Sequence, residues 1–136
     1  MIAVKCEGVS LGSAIRVAST FGSRFMGLMF RKSLPEGSGL LLMPCSSIHM
    51  CFMRMALDIV YMDASLRVTG VERGLRPWRI GRAAKGTKLV LELPAGTVEQ
   101  CQLVPGMKLT VEAPAKAAEA QIALEERNCD GYRAVG

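Results

Sequence analysis

The sequence predicts an α+β domain: a compact, mainly antiparallel β sheet, bent or closed into a small barrel, with two or three short helices. Three observations carry this expectation. Short apolar runs rich in β-formers recur along the chain between turns marked by glycine and proline. Two of these runs, Leu57–Asp63 and Leu66–Val71, are joined through Asp63-Ala64-Ser65, a link suited to a hairpin and hence to antiparallel pairing. No strand alternates with a full-length helix, so neither a doubly wound parallel sheet nor a P-loop architecture is expected.

The elements follow in order. Ala14–Val17 reads as a short strand. Phe21, Phe25, Leu28 and Met29 then recur at helical spacing behind Thr20, a good N-cap, while Gly22 and Gly27 keep that helix short. Pro35, Gly37 and Gly39 mark a loop, and Gly39–Pro44 is a continuous apolar run expected to be a buried strand. After the hairpin, Lys88–Leu93 places Leu89, Leu91 and Leu93 on one face and ends at Pro94-Ala95-Gly96. Thr97 is placed to cap one helical turn running to Leu103. Pro105-Gly106 is the dipeptide of a type II turn before a last strand, Met107–Glu112. Ala115–Arg127 favours a helix with a thin apolar stripe. The expected organisation is one globular β-rich domain over 1–113 and a helical extension over 114–136.

Composition narrows the function classes. A chain of 136 residues that is 50% hydrophobic and 21% charged has material for one core and is not a disordered polymer. No apolar run approaches the roughly 18 residues of a membrane span. The start, MIAVKCEGVS, lacks the basic and apolar regions of a signal peptide, so a cytoplasmic address is expected. Cys6, Cys45, Cys51, Cys101 and Cys129 are odd in number and contain no C-x-x-C pair; they read as reduced thiols, not a disulfide framework or zinc ribbon. A net charge of +5 permits an anionic partner. Glycine-rich phosphate loops are missing, which disfavours nucleotide-dependent chemistry, and no cofactor is expected.

The chemistry-bearing stretch runs from Ser46 to Asp58. It holds the one histidine of the chain, His49, together with Arg54 and Asp58. An imidazole, a guanidinium and a carboxylate together orient and polarise a small anionic or carbonyl-bearing ligand. In a regular strand His49 and Arg54 face opposite sides, so their convergence requires a bulge or loop.

The chain resembles the uncharacterised bacterial and archaeal family called domain of unknown function 192. Ser23–Arg31 is similar to its R-x-x-G-L-M-x-R signature, and the likeness continues through Gly39-Leu40-Leu41-Leu42. His49–Asp63 follows its H-x-x-F-M-R-x-x-x-D-x-x-x-x-D pattern, and Leu75–Arg79 and Leu91–Gly96 complete the match. Met50 stands where the family commonly has threonine. The resemblance spans roughly Val4–Val111 and implies a compact β-rich fold with short helices, with no activity attached. Within that pattern His49, Arg54, Asp58, Trp78, Arg79 and Glu92 form the candidate ligand-binding set. Asp58 and Glu92 interrupt apolar strands and need partners, for which Arg54 and Arg79 are candidates.

The expected function is a small cytoplasmic binding module with a polar pocket for an anionic or carbonyl-bearing ligand. One alternative is an acid–base enzyme using His49 with Asp58 or Glu92. A second, nucleophilic, uses Cys45 or Cys51 beside His49, but no signature of a cysteine enzyme surrounds those thiols. A third is Cu(I) binding: if the segment were a regular strand, His49, Cys51, Met53 and Met55 would share one face. Finally, Arg73, Arg76, Arg79, Arg82, Lys85 and Lys88 recur at every third position. An extended polyproline-like conformation would align them as a ridge for weak contact with a polyanion or an acidic protein, chiefly through Arg73, Arg76, Arg82 and Lys85.

Overall fold

The computed structural model describes residues 1–20, 22, 28 and 31–112. Most of the helix expected over 21–31, and the extension expected over 114–136, lie outside those residues. The described elements are β1 (Ile2–Cys6), β2 (Val9–Ala18), β3 (Ser38–Leu42), β4 (Leu57–Met62), β5 (Val68–Leu75), β6 (Leu89–Pro94), α1 (Thr97–Gln100) and β7 (Leu109–Glu112).

All seven strands join one sheet in the order β5-β4-β6-β3-β2-β1-β7. Neighbours are antiparallel except β2 and β3, which run parallel with Ala14 opposite Ser38 and Ala18 opposite Leu42. The sheet is strongly curled into a half-barrel, and its two edges meet at one corner. There the Val68 N–H donates to the Met107 carbonyl at 2.7 Å and the Leu109 N–H to the Leu66 carbonyl at 2.9 Å. The Arg67 guanidinium adds a bond to the Gly106 carbonyl at 2.6 Å. Curling hides the edge groups that would otherwise be left to solvent or to a second chain.

Two apolar layers hold the sheet. Residues of all the strands, including Ile15, Leu41, Val60, Leu91 and Leu93, fill the concave interior together with Val98 and Leu103. Leu40, Ile59, Tyr61 and Val90 point the other way and are covered on the convex face by Ile48, Met50 and Met53. With apolar cover on both sides, β4 is buried at every position despite carrying a carboxylate.

One of the expected caps is replaced. The N-cap of α1 is Gly96 in the left-handed region, without a side-chain cap, and the Thr97 hydroxyl donates backwards to the Pro94 carbonyl at 2.7 Å. The helix's open N–H groups are instead taken by a carboxylate from β4, as described below.

Candidate functional site

The covering segment after β3 is shaped by its alternation. Ile48, Met50 and Met53 are buried, and His49 between the first two is exposed. It pairs with the segment after β5: the Gly81 N–H donates to the Ile48 carbonyl at 2.9 Å and the Met50 N–H to the Arg79 carbonyl at 2.7 Å. His49 bridges Ile80 across this pair, and the Trp78 N–H donates to the Met50 carbonyl at 2.7 Å. His49, Trp78 and Arg79 are therefore brought to one region of the surface.

Beyond Met50 the chain turns instead of continuing as a strand. The Met53 N–H returns to the Met50 carbonyl at 3.2 Å, and Phe52 is left-handed at φ 62. The shared face expected of His49, Cys51, Met53 and Met55 is consequently not formed. Met53 is buried, His49 is exposed, and the Cys51 N–H donates to His49 Nδ1 at 3.3 Å. Arg54 is exposed just past the turn. Among the described residues no group of three or more His, Cys, Asp or Glu side chains is placed to hold a metal ion.

Asp58 and Glu92 lie on opposite faces. Asp58 alternates with Leu57 and Ile59 of the convex layer and so turns inward, beside α1. Its Oδ2 accepts the Gly96 N–H at 3.0 Å and the Val98 N–H at 2.9 Å, and its Oδ1 accepts the Gly74 N–H at 2.8 Å. Its partners are backbone groups, not Arg54 or Arg79.

The bond to Gly74 has a consequence for the surface. Leu57 is opposite Leu75 and Ile59 opposite Glu72, so Asp58 faces the two residues Arg73 and Gly74, a β-bulge on an edge strand. Gly74 takes φ 59 there, a conformation that other residues adopt at a cost. Around this bulge lies an open cavity of about 450 Å³, lined by Glu72, Arg73, Gly74, Leu75, Arg76 and Arg79. Glu72 Oε1 accepts the Arg82 N–H at 2.5 Å, which leaves three guanidinium groups as the other charges of the lining. The period-three cations do not form one extended ridge. Arg73 belongs to β5, and the Arg79 N–H closes a turn onto the Arg76 carbonyl at 3.3 Å, with Trp78 left-handed at φ 67. The bulge and turn gather Arg73, Arg76 and Arg79 around one cavity instead.

Glu92 is on the convex face, in register with Leu40 on one side and Ile59 on the other, and Ile59 is in turn opposite Glu72. Its Oε2 is buried without a hydrogen-bond partner among the described residues, and desolvation raises the carboxyl to about 8. Tyr61 follows on the same face; burial and the nearby Glu72 and Cys45 push its hydroxyl well above the ordinary range. A Cβ on Gly81 would collide with the Tyr61 hydroxyl and an Ile48 methyl. Gly81→Ala is therefore expected to cost about 1–3 kcal/mol by overpacking, and Tyr61→Phe in that background to recover part of the loss, both read by urea unfolding.

The family model and the curated relatives agree on one family. The model of the DUF192 family, described as an uncharacterised ACR, matches residues 3–111. A UPF0127 protein of Thermococcus sibiricus (strain DSM 12597 / MM 739) is 31% identical over 104 residues, covering 73% of this chain and 66% of its own length. A UPF0127 protein of Pyrococcus furiosus (strain ATCC 43587 / DSM 3638 / JCM 8422 / Vc1) is 31% identical over 108 residues, covering 76% of this chain and 90% of its own length. The crystal structure of a protein of unknown function from Novosphingobium aromaticivorans DSM 12444 shares the fold. Its TM-score is 0.70 at 24% identity, over 80% of this chain and 82% of that one. This chain belongs to the DUF192 (UPF0127) family.

Proposed function

We propose that the domain is a binding module for a small anionic ligand, held in the cavity at the β5 bulge by Arg73, Arg76 and Arg79. The observation that supports this reading is the charge of that lining: three arginines against one glutamate, whose Oε1 accepts the Arg82 N–H. Planar guanidinium groups accept carboxylate or phosphate oxygens in pairs, and a fixed cluster of them binds a compact dianion better than a monoanion. Arg79 belongs to the candidate set read from the sequence, and His49 lies on the segment paired to its own. Asp58 acts as a positioning residue, because its bond to the Gly74 N–H holds the bulge from which the lining projects.

Trp78, the one tryptophan of the chain, stands between Arg76 and Arg79 in sequence, outside the lining itself, and serves as a neighbouring reporter. Titration with pyrophosphate or citrate is expected to change Trp78 emission in a saturable way, with acetate far weaker. Arg76→Gln/Arg79→Gln should weaken binding by roughly tenfold or more, the loss expected for two charge-assisted hydrogen-bonding groups. A response that is not saturable, or that survives the double substitution unchanged, overturns the reading.

A further inference from the structure

Next to the cavity, two tight turns stand side by side and present apolar side chains to water. Trp78 is 61% exposed, Ile80 74% and Phe52 48%. The Phe52 and Trp78 rings meet edge-on, with centroids 4.8 Å apart and planes at 61°. Both aromatic residues occupy left-handed backbone positions, where a bulky side chain is unfavourable. The Trp78 and Met50 backbones are bonded, and Ile80 bridges His49, so the three side chains are presented from a fixed base. Arg54, Arg76 and Arg79 are exposed on the same two segments. Exposed apolar tips with cations on the same segments fit a surface that is apolar beneath and anionic above.

We propose that this face docks on an anionic phospholipid surface, with Trp78, Phe52 and Ile80 entering the boundary between headgroups and acyl chains and the arginines pairing with the phosphates. The choice of lipid over single-stranded nucleic acid rests on two observations. Ile80, the most exposed of the three, has no π face on which a base could stack, and the edge-on pair of rings does not make a parallel platform. A lipid interface accepts aliphatic and aromatic side chains alike. The apolar tips do not line the cavity, so this proposal and the anion-binding reading can fail separately.

The test is sedimentation of the full chain with phosphatidylglycerol/phosphatidylcholine vesicles and with pure phosphatidylcholine vesicles, with Trp78 emission recorded in parallel. Binding to the mixed vesicles with a blue shift of Trp78, weakened by salt and feeble on pure phosphatidylcholine, is expected. Ile80→Ser should lower the vesicle affinity by about fivefold or more through lost apolar burial, while the pyrophosphate response stays intact because no charge is added beside Arg79. Equal binding to both vesicle types overturns the proposal. So does unchanged affinity of Ile80→Ser, or a preference for oligothymidylate over the mixed vesicles.

Discussion

Replacing Asp58 by alanine is expected to destabilise the domain by about 3–5 kcal/mol, because three N–H groups lose their acceptor at once and two polymer segments lose their tie. Asp58 is 1% exposed and spends both oxygens on Gly74, Gly96 and Val98. No water replaces it cheaply beside the fully buried Val98. Asp58→Asn retains one carbonyl oxygen but turns an N–H donor toward other donors, so it should recover only part of the loss. Urea unfolding gives these differences. A second readout separates the positioning role from plain stability: under conditions where Asp58→Asn is still folded, pyrophosphate affinity should fall, since the bulge at Gly74 is no longer fixed. An Asp58→Ala protein as stable as the parent would show that the carboxylate does not hold α1 and β5.

The second large effect is a dependence of stability on pH that comes from Glu92. Its carboxyl is raised by burial from an ordinary 4.5 to about 8, and among the described residues no cation forms an ion pair with it. The folded state therefore binds the proton more tightly than the unfolded chain. The stability this contributes is complete below about pH 4.5, is lost as pH rises toward about 8, and is absent above that, a change of the order of a few kcal/mol. Glu92→Gln stays neutral throughout, so its melting temperature should exceed that of the parent at pH 9 and approach it at pH 5. The difference between the two profiles isolates Glu92, because other groups titrate in both proteins. Parallel profiles would show that the carboxylate is hydrated or paired.

How far the residues foretell these roles depends on whether the partner is near in sequence. Strands β4, β5 and β6 were legible, since β-rich runs bounded by Asp63-Ala64-Ser65 and Pro94-Ala95-Gly96 have few other outcomes. Ile2, Val4 and Cys6 alternate as a strand should, yet five residues at the start of a chain give a weak signal, and β1 was not anticipated. The parallel pairing of β2 with β3 depends on contacts that no local pattern encodes.

Among the site residues, Asp58 and Glu92 declared themselves as carboxylates on apolar strands needing compensation. What compensates Asp58 is backbone, which has no letter in the sequence, and Glu92 meets its cost by keeping a proton. The period-three cations were visible, but their gathering depends on a bulge opposite Asp58 and on a turn at Arg76–Arg79. A glycine directly after Arg73, facing a strand carboxylate, was the available clue.

The most direct test of the cavity's role is a crystal structure of the protein soaked with tungstate or selenate, collected for anomalous scattering. An anomalous peak bounded by the guanidinium groups of Arg73, Arg76 and Arg79 at the Gly74 bulge is expected. An empty cavity with those three arginines turned away from it, while the anion binds elsewhere on the chain, would contradict it.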